Sequence, residues 1–365
     1  MTRTIGRLRR YAIARSLFPP GTLPAALERL GFVQADPIRA PARAQDLVLR
    51  HRAVGYRAGD LERHYASLGI EEDFFVNYGF VTRAAHALMH PRGKFGAWPA
   101  PGKRTGDAVL AFVRDRGEVH PRDVDTHFAR GAVTNYWGGS STATTHVLDH
   151  LHYRGLLRVT GRDAGIRRYA PRDIPASTLD VAARRQRQDA LVDVAVRLYA
   201  PVPSATLGWL VARLRYAAPQ WRPELRQILA RAKARLGRAR VDEVDWFWPA
   251  DETLDAAAAD GADDTVRLLA PFDPVVWDRR RFEHFWGWAY RFEAYTPAAK
   301  RTRGYYALPL LWRGRMIGWG NVVVSSGALQ TDLGFVAGRA PRDRAFARGL
   351  EAEIARLQAF LGLAE

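Results

Sequence analysis

Few residues in this chain have the type and spacing to do chemistry. Gln34 and Asp36 lie two residues apart in Phe32-Val-Gln-Ala-Asp-Pro-Ile38, and an extended backbone points alternate side chains to the same side. An amide and a carboxylate so placed can hold one water between them, with the carboxylate accepting its proton. The same residues have a plainer use, because Asp before Pro starts turns and Pro37 keeps Asp36 out of helical geometry. Two histidine pairs, His86/His90 and His146/His150, have the i, i+4 spacing that can place two imidazoles on one metal. Neither carries the Glu of a His-Glu-x-x-His zinc hydrolase and no third ligand stands out, so no metal is expected. Tyr136-Trp-Gly-Gly-Ser-Ser-Thr142 lacks the lysine of a phosphate loop, and no Gly-x-Ser-x-Gly elbow occurs. The absence of cysteine removes disulfides, thiolate metal sites and cysteine nucleophiles, and it fits a cytoplasmic protein.

Charge points to a partner. The chain has 55 Lys and Arg against 38 Asp and Glu, a formal net charge of +17. Only Lys94, Lys103, Lys233 and Lys300 are lysines; the remaining cations are arginines, whose forks pair bidentately with phosphate. A codon preference would explain Arg over Lys but not the excess over acids, and such an excess favours a polyanion such as nucleic acid. The 365 residues, 47% of them hydrophobic, suffice for two or three compact units with ample core. No stretch approaches the ~20 apolar residues of a membrane span. The Arg-rich start superficially resembles a transit peptide but reads as a first amphipathic helix running to Pro19-Pro20.

The elements that would position Gln34 and Asp36 can be read from caps and periodicity. Thr22 caps a short helix bearing Leu23, Leu27 and Leu30, and Gly31 stops it, leaving 32–38 extended. Helices are expected within 41–52 and near 58–68, and residues 91–104 read as a linker. Thr105 then caps a helix with Val109, Leu110, Phe112 and Val113 inward. A short helix follows over 121–128, and a third runs from Ser141 to Gly155. Leu156–Val159, a turn over 161–165 and Ile166–Tyr169 complete the helix–helix–helix–hairpin order of a winged helix-turn-helix. A similar order recurs over 183–250. Residues 251–264 read as an exposed acidic loop. Strands follow at Leu268-Leu269, Tyr290–Tyr295, Tyr305–Trp312 and Met316–Val324, with a tight turn at Arg313–Arg315 and a helix over 341–361. The aromatic residues of 272–312 could stack on bases but suit the core of a β-domain better.

The expected fold is therefore mainly α with β, with tandem winged helix-turn-helix units and a C-terminal β-barrel-like domain. Its divisions would be a catalytic winged-helix unit over 1–95, winged helices over 105–175 and 183–250, a barrel-like domain over 265–340 and a helix over 341–365.

At these residues the chain resembles the tandem winged-helix DNA glycosylases that unhook interstrand crosslinks and excise alkylated purines, the YcaQ-like and AlkZ-type proteins. Their signature is Gln, a hydrophobic residue, then Asp or Gln after a short helix, matched here by Gln34-Ala-Asp36, with Arg43, Leu47-Val-Leu49 and Arg52 in similar register. The longer match is Leu268–Arg279, Tyr290–Arg301 and Gly304–Pro309, and Trp137, Leu148 and Arg154-Gly155 fit the middle winged helix. Three positions depart from the family. Ala35 is smaller than the usual Ile or Val, Asn77-Tyr78 replaces a His-Glu pair, and Asn321 falls near a position that is usually acidic.

The resemblance implies monofunctional hydrolysis of the N-glycosidic bond of N7-alkylated purines, without metal or cofactor. Catalysis would rest on Asp36 and Gln34, and no lysine within fifty residues of Asp36 offers the amine of a lyase. Arg43, Arg52, Lys300 and Arg301 are the candidate phosphate contacts. The expected partner is damaged double-stranded DNA, bound by a monomer in a bacterial cytoplasm, at the nucleoid. A non-catalytic winged-helix regulator is the alternative, and it would prefer a palindromic site.

Overall fold

The computed structural model describes residues 4–92, 100–128, 132–134, 140–173, 179–254 and 264–363, in a mixed helix–sheet fold. Contacts divide the chain into two units: 1–61, 192–210 and 229–365 form the first, and 62–191 with 211–228 the second.

In the first unit, helix Leu23–Leu30 forms where expected. The Thr22 side chain accepts from Ala25 N at 3.3 Å, and Gly31 ends the helix at φ +70°, a conformation glycine adopts without steric cost. Strand Phe32–Gln34 follows, then helix Ala44–Leu49, whose residues are all buried. The expected barrel-like domain is instead an open antiparallel sheet of Arg267–Leu268, Leu308–Trp312, Arg315–Ser325 and Ala328–Phe335, in that order. Arg313 and Gly314, both at positive φ, make the two-residue turn that suits the right-handed twist of a hairpin. No strand forms over 290–295: Tyr290 packs into a core with Leu269, Val276, Phe282 and Leu311, and the segment turns before helix Ala298–Lys300. Helix Arg344–Leu361 closes this unit, capped by Asp343 on Ala345 N.

The second unit opens with a hairpin the sequence reading lacked, Ile70–Phe74 against Tyr78–Thr82. Helices Ala100–Arg116, Pro121–Phe128 and Ala143–Tyr153 then precede the hairpin Leu157–Asp163/Ile166–Pro171. Val109, Val113, Val124, Leu148, Leu151, Leu157 and Val159 make its buried core, so the apolar stripes read from the sequence face one another. The first of these helices starts at Ala100 rather than Thr105, inside the expected linker. Residues 93–99 of that linker, Trp137 with its neighbours 135–139, and 255–263 of the acidic segment lie outside the described residues. The ends of the acidic segment are ion-paired: Asp251 with Arg197, Glu252 with Arg15 and Asp264 with Arg313. Among the described residues, no helix is long and apolar enough to cross a membrane.

Candidate active site

The turn after strand Phe32–Gln34 fixes Asp36. Its amide donates to Gln45 Oε1 at 3.4 Å, and its Oδ1 accepts from Ile38 N at 2.9 Å, an Asx-turn of the kind Asp-Pro favours. The turn uses one carboxylate oxygen and leaves Oδ2 without a hydrogen bond among the described residues. Only 8% of the residue is exposed. Burial raises its pKa above the usual carboxylate range, and the Ile38 N–H opposes that rise.

Gln34 is held from the other side. Trp277 Nε1 donates to Gln34 Oε1 at 3.2 Å. Trp277 directly precedes Asp278, which caps helix Arg279–Trp286 through Arg280 N and Arg281 N and accepts from Thr206 Oγ1 at 2.6 Å. The indole is thus anchored to a helix start, stacked on Tyr199 at 4.1 Å and edge-on to Trp209 at 5.1 Å. Trp209 is 43% exposed, so this aromatic set reaches the surface.

Two tyrosines feel the Asp36 carboxylate. Its charge acts on Tyr295, which is 72% exposed, and on Tyr306, which is buried. Phe292 joins them, edge-on to Tyr295 at 6.0 Å and to Tyr306 at 5.2 Å. Between Tyr295 and Tyr306 the chain carries Lys300, Arg301 and Arg303 on a loop organised by buried Glu293. That carboxylate accepts from Thr302 N, Thr302 Oγ1 and Arg303 N at 2.7–2.9 Å. Lys300 is exposed; Arg301 donates through Nε to Thr296 O at 2.8 Å and lies over the Tyr305 ring at 5.0 Å. Arg301, Arg303, Tyr305, Trp319, Asn321 and Asp332 are among the residues that line an open groove here. Asn321 Nδ2 donates to Arg303 O at 2.8 Å, a bond that a carboxylate at this position could not make.

The other expected site residues are placed differently. Arg43 precedes helix Ala44–Leu49, two residues from the Gln45 that holds Asp36 N. Arg52 is a correction: it is fully buried, bidentate to Asp273 at 2.8 and 2.9 Å, and bonded to Ser16 O and Val48 O. No phosphate can reach it. Asn77 and Tyr78 fall in the second unit, where Asn77 Oδ1 accepts from Arg213 and Tyr78 Oη donates to buried Glu72 at 2.8 Å.

That unit contains a second polar cluster. Glu71, Glu72 and Asp73 are consecutive and all buried, and each has its own arginine: Arg172, Arg162 and Arg92 at 2.5–2.9 Å. Successive side chains on a strand face opposite ways, so the three acids need separate partners. Asp73 Oδ2 also lies 3.1 Å from His86 Nε2 and 2.8 Å from His90 Nε2, and the two rings stack at 4.3 Å. These three residues bring donor atoms within 4.8 Å of one another, the spacing of a metal site. A dication there would face the guanidinium of Arg92, which already compensates Asp73, and that of Arg172, 2.8 Å from His86 Nε2. Burial holds both imidazoles below their usual pKa, hence neutral at pH 7, against the opposing pull of Asp73.

The sequence reading did not single out Trp277, Tyr295, Tyr306, Glu293 or Arg303 as site residues. Their signal was the density of aromatic residues among cations in 272–312, which it assigned to core packing.

A basic chain of mixed helix and sheet, with a nearly buried carboxylate, an anchored amide and a cationic aromatic groove in one unit, is the kind of protein that acts on a nucleic acid. Comparison makes the class specific. Residues 27–360 match the model of the AlkZ-like DNA glycosylases, and the chain belongs to that family. The solved structure of Streptomyces sahachiroi DNA glycosylase AlkZ is similar over 99% of this chain and 98% of its own, with a TM-score of 0.63 at 15% identity. At that identity the likeness shows a shared fold.

Proposed function

We propose that this chain is a monofunctional DNA glycosylase for N7-alkylated purines in damaged duplex DNA, including guanines joined by interstrand crosslinks. The observation that carries this reading is Asp36: a nearly buried carboxylate with one oxygen fixed by Ile38 N and the other without a hydrogen bond among the described residues, beside an anchored Gln34. An N7-alkylated purine is already cationic and leaves without a strong general acid. The protein then has to stabilise an oxocarbenium-like sugar and place water at C1′. A carboxylate opposes the developing charge and takes the water's proton, and Gln34 orients that water. Lys300, Arg301 and Arg43 are proposed phosphate contacts. The helix–helix–helix–hairpin orders over 105–175 and 183–250 are proposed to be winged helices that contact the duplex as a monomer in the cytoplasm.

Excision assays on duplexes with one N7-methylguanine or one N7–N7 guanine crosslink test this reading. Abasic sites that yield strand breaks only after alkali support it. Their absence on both duplexes, with selective binding to a palindrome, would favour a regulator instead.

A further inference from the structure

The groove beside the Glu293-held loop gathers charges of both signs that do not pair with one another. Register sets Trp319 opposite Gly334 and Asn321 opposite Asp332 on strands Arg315–Ser325 and Ala328–Phe335, so these four residues share one face of the sheet. Gly334 has no Cβ, and the Trp319 indole fills the space one would need, which makes an aromatic floor. The loop over 301–305 is fastened to this face by Asn321 Nδ2 on Arg303 O, and it completes a groove of about 440 Å³, the size of small-ligand sites. Arg303 lies over the rings of Trp288 at 5.3 Å and Trp319 at 5.4 Å, and Arg301 over Tyr305 at 5.0 Å. Such ring contacts hold a guanidinium in place without neutralising it. Among the described residues neither arginine has an ion pair, and Arg303 Nε is enclosed without a hydrogen bond. Glu293 is spent on the amides of the same loop. Asp332, exposed in the same groove, has no ion pair among the described residues either. Elsewhere on the surface an arginine beside acids closes on them, as Arg313 does on Asp264 and Asp343.

A ligand that suits both signs carries an anion for the guanidiniums and hydrogen-bond donors for the carboxylate. Bare phosphate has no donors and is repelled by Asp332. The Watson–Crick edge of guanine offers N1–H and N2–H side by side, which one carboxylate accepts together. We propose that this groove binds a guanosine phosphate whose Watson–Crick edge is unpaired. Arg301 and Arg303 hold the phosphate oxygens, for which the guanidinium fork is the matching donor. Asp332 accepts from N1–H and N2–H, and the base lies against the exposed Tyr305 ring. In a paired duplex cytosine occupies that edge, so the ligand is a guanosine displaced from its strand or the free nucleotide. The site goes beyond the excision chemistry proposed above and stands without it, since neither Gln34 nor Asp36 takes part.

Isothermal titration of the whole chain with dGMP, dTMP and deoxyguanosine at low salt tests this. dGMP is expected to bind about 5- to 100-fold more tightly than dTMP, and roughly tenfold or more tighter than deoxyguanosine. Asp332→Asn keeps the shape but offers one acceptor oxygen, and it should bring dGMP and dTMP to within about twofold of each other. Arg303→Met should weaken dGMP about tenfold at an unchanged Tm, and Arg301→Gln gives the same reading should Arg303→Met lower the Tm. Absence of dGMP binding, or equal affinities for dGMP and dTMP in the parent, would overturn the proposal. So would a preference that survives Asp332→Asn, or dGMP affinity unchanged in both arginine variants. Duplexes with one bulged guanosine or one bulged thymidine separate the two sources. Tighter binding of the first assigns a displaced guanosine; equal binding, with the dGMP preference intact, assigns the free nucleotide. Excision by Asp36→Asn is a separate readout, so failure of the glycosylase reading and failure of this site are told apart.

Discussion

Replacing Asp273 with Asn tests whether Arg52 is a strut of the fold or a DNA contact. Arg52 is fully buried, and its guanidinium has two carboxylate bonds, at 2.8 and 2.9 Å, besides those to Ser16 O and Val48 O. Asn keeps an acceptor for Val275 N, which now bonds Asp273 Oδ1 at 3.0 Å, but it removes the charge that compensates Arg52. Two charge-assisted bonds at about 1.5–3 kcal/mol each set the scale of the loss. Stranding one partner of a buried ion pair costs about 3–5 kcal/mol, in agreement with that sum. With an m-value of roughly 3 kcal/mol/M, the urea midpoint of the first unit, followed by tryptophan fluorescence, should drop by about 1–1.7 M. Removing both charges with Arg52→Met and Asp273→Leu should recover much of the loss, since an apolar pair of similar volume can substitute for a buried bridge. An Asp273→Asn midpoint within about 0.2 M of the parent, well short of that drop, would refute the assignment. So would an Arg52→Met variant that stays folded while the salt slope of DNA binding falls by about one, the mark of a lost phosphate contact.

Further expectations concern the groove and the second unit. Ala at Gly304 would need φ near +119° and would drive its Cβ into Asn321 Oδ1, so Gly304→Ala should cost about 1–3 kcal/mol. A denaturant midpoint equal to the parent's would contradict this. Lys300→Ala with Arg301→Ala should flatten the slope of log affinity against log salt by about two on undamaged duplex, measured by anisotropy. An unchanged slope would show that neither cation meets phosphate. Burial holds His86, His90 and His152 below the usual imidazole pKa. Their contribution to stability is therefore complete above about pH 6.5 and is lost as pH falls, when the unfolded chain takes up protons that the folded one refuses. The unfolding free energy from urea titrations should decline from pH 7 to 5, by up to about 1.4 kcal/mol per pH unit for each histidine, and His86→Gln should make the decline shallower. A decline equally steep in that variant would contradict this account of His86.

The sequence is most legible where one local rule decides the structure. Thr22 and Gly31 bound their helix as expected, and the stripe of Val109, Val113, Leu148 and Leu151 is the core of the second unit. The turn at Arg313-Gly314 also forms as read. Tyr290–Tyr295 misleads because its alternation is satisfied by aromatic packing: Tyr290 lies in a core, Phe292 meets Phe272 at 5.2 Å, and Tyr295 faces solvent. No ladder is required for that pattern. Net charge points to a polyanion, but it does not say which arginines are spent inside. Arg52, Arg92 and Arg162 neutralise the buried acids Asp273, Asp73 and Glu72, partners that no local spacing rule identifies. The candidate site was half legible. Gln34 and Asp36 stand in a short motif, whereas Trp277, Tyr295 and Tyr306 reach them from more than two hundred residues away through tertiary packing alone.

The most direct test of the central claim is single-turnover excision of N7-methylguanine from duplex DNA by the parent and by Asp36→Asn, with the affinity of each for undamaged duplex measured alongside. The expected result is a rate at least ~100-fold lower in the variant at equal affinity, the scale for one charge-stabilising or proton-accepting group. Stability at pH 7 should not fall, because Asn relieves the cost of burying an ionised carboxylate, and any gain should vanish as pH drops below the carboxylate's raised pKa. Equal excision rates for the two proteins would contradict the assignment of Asp36.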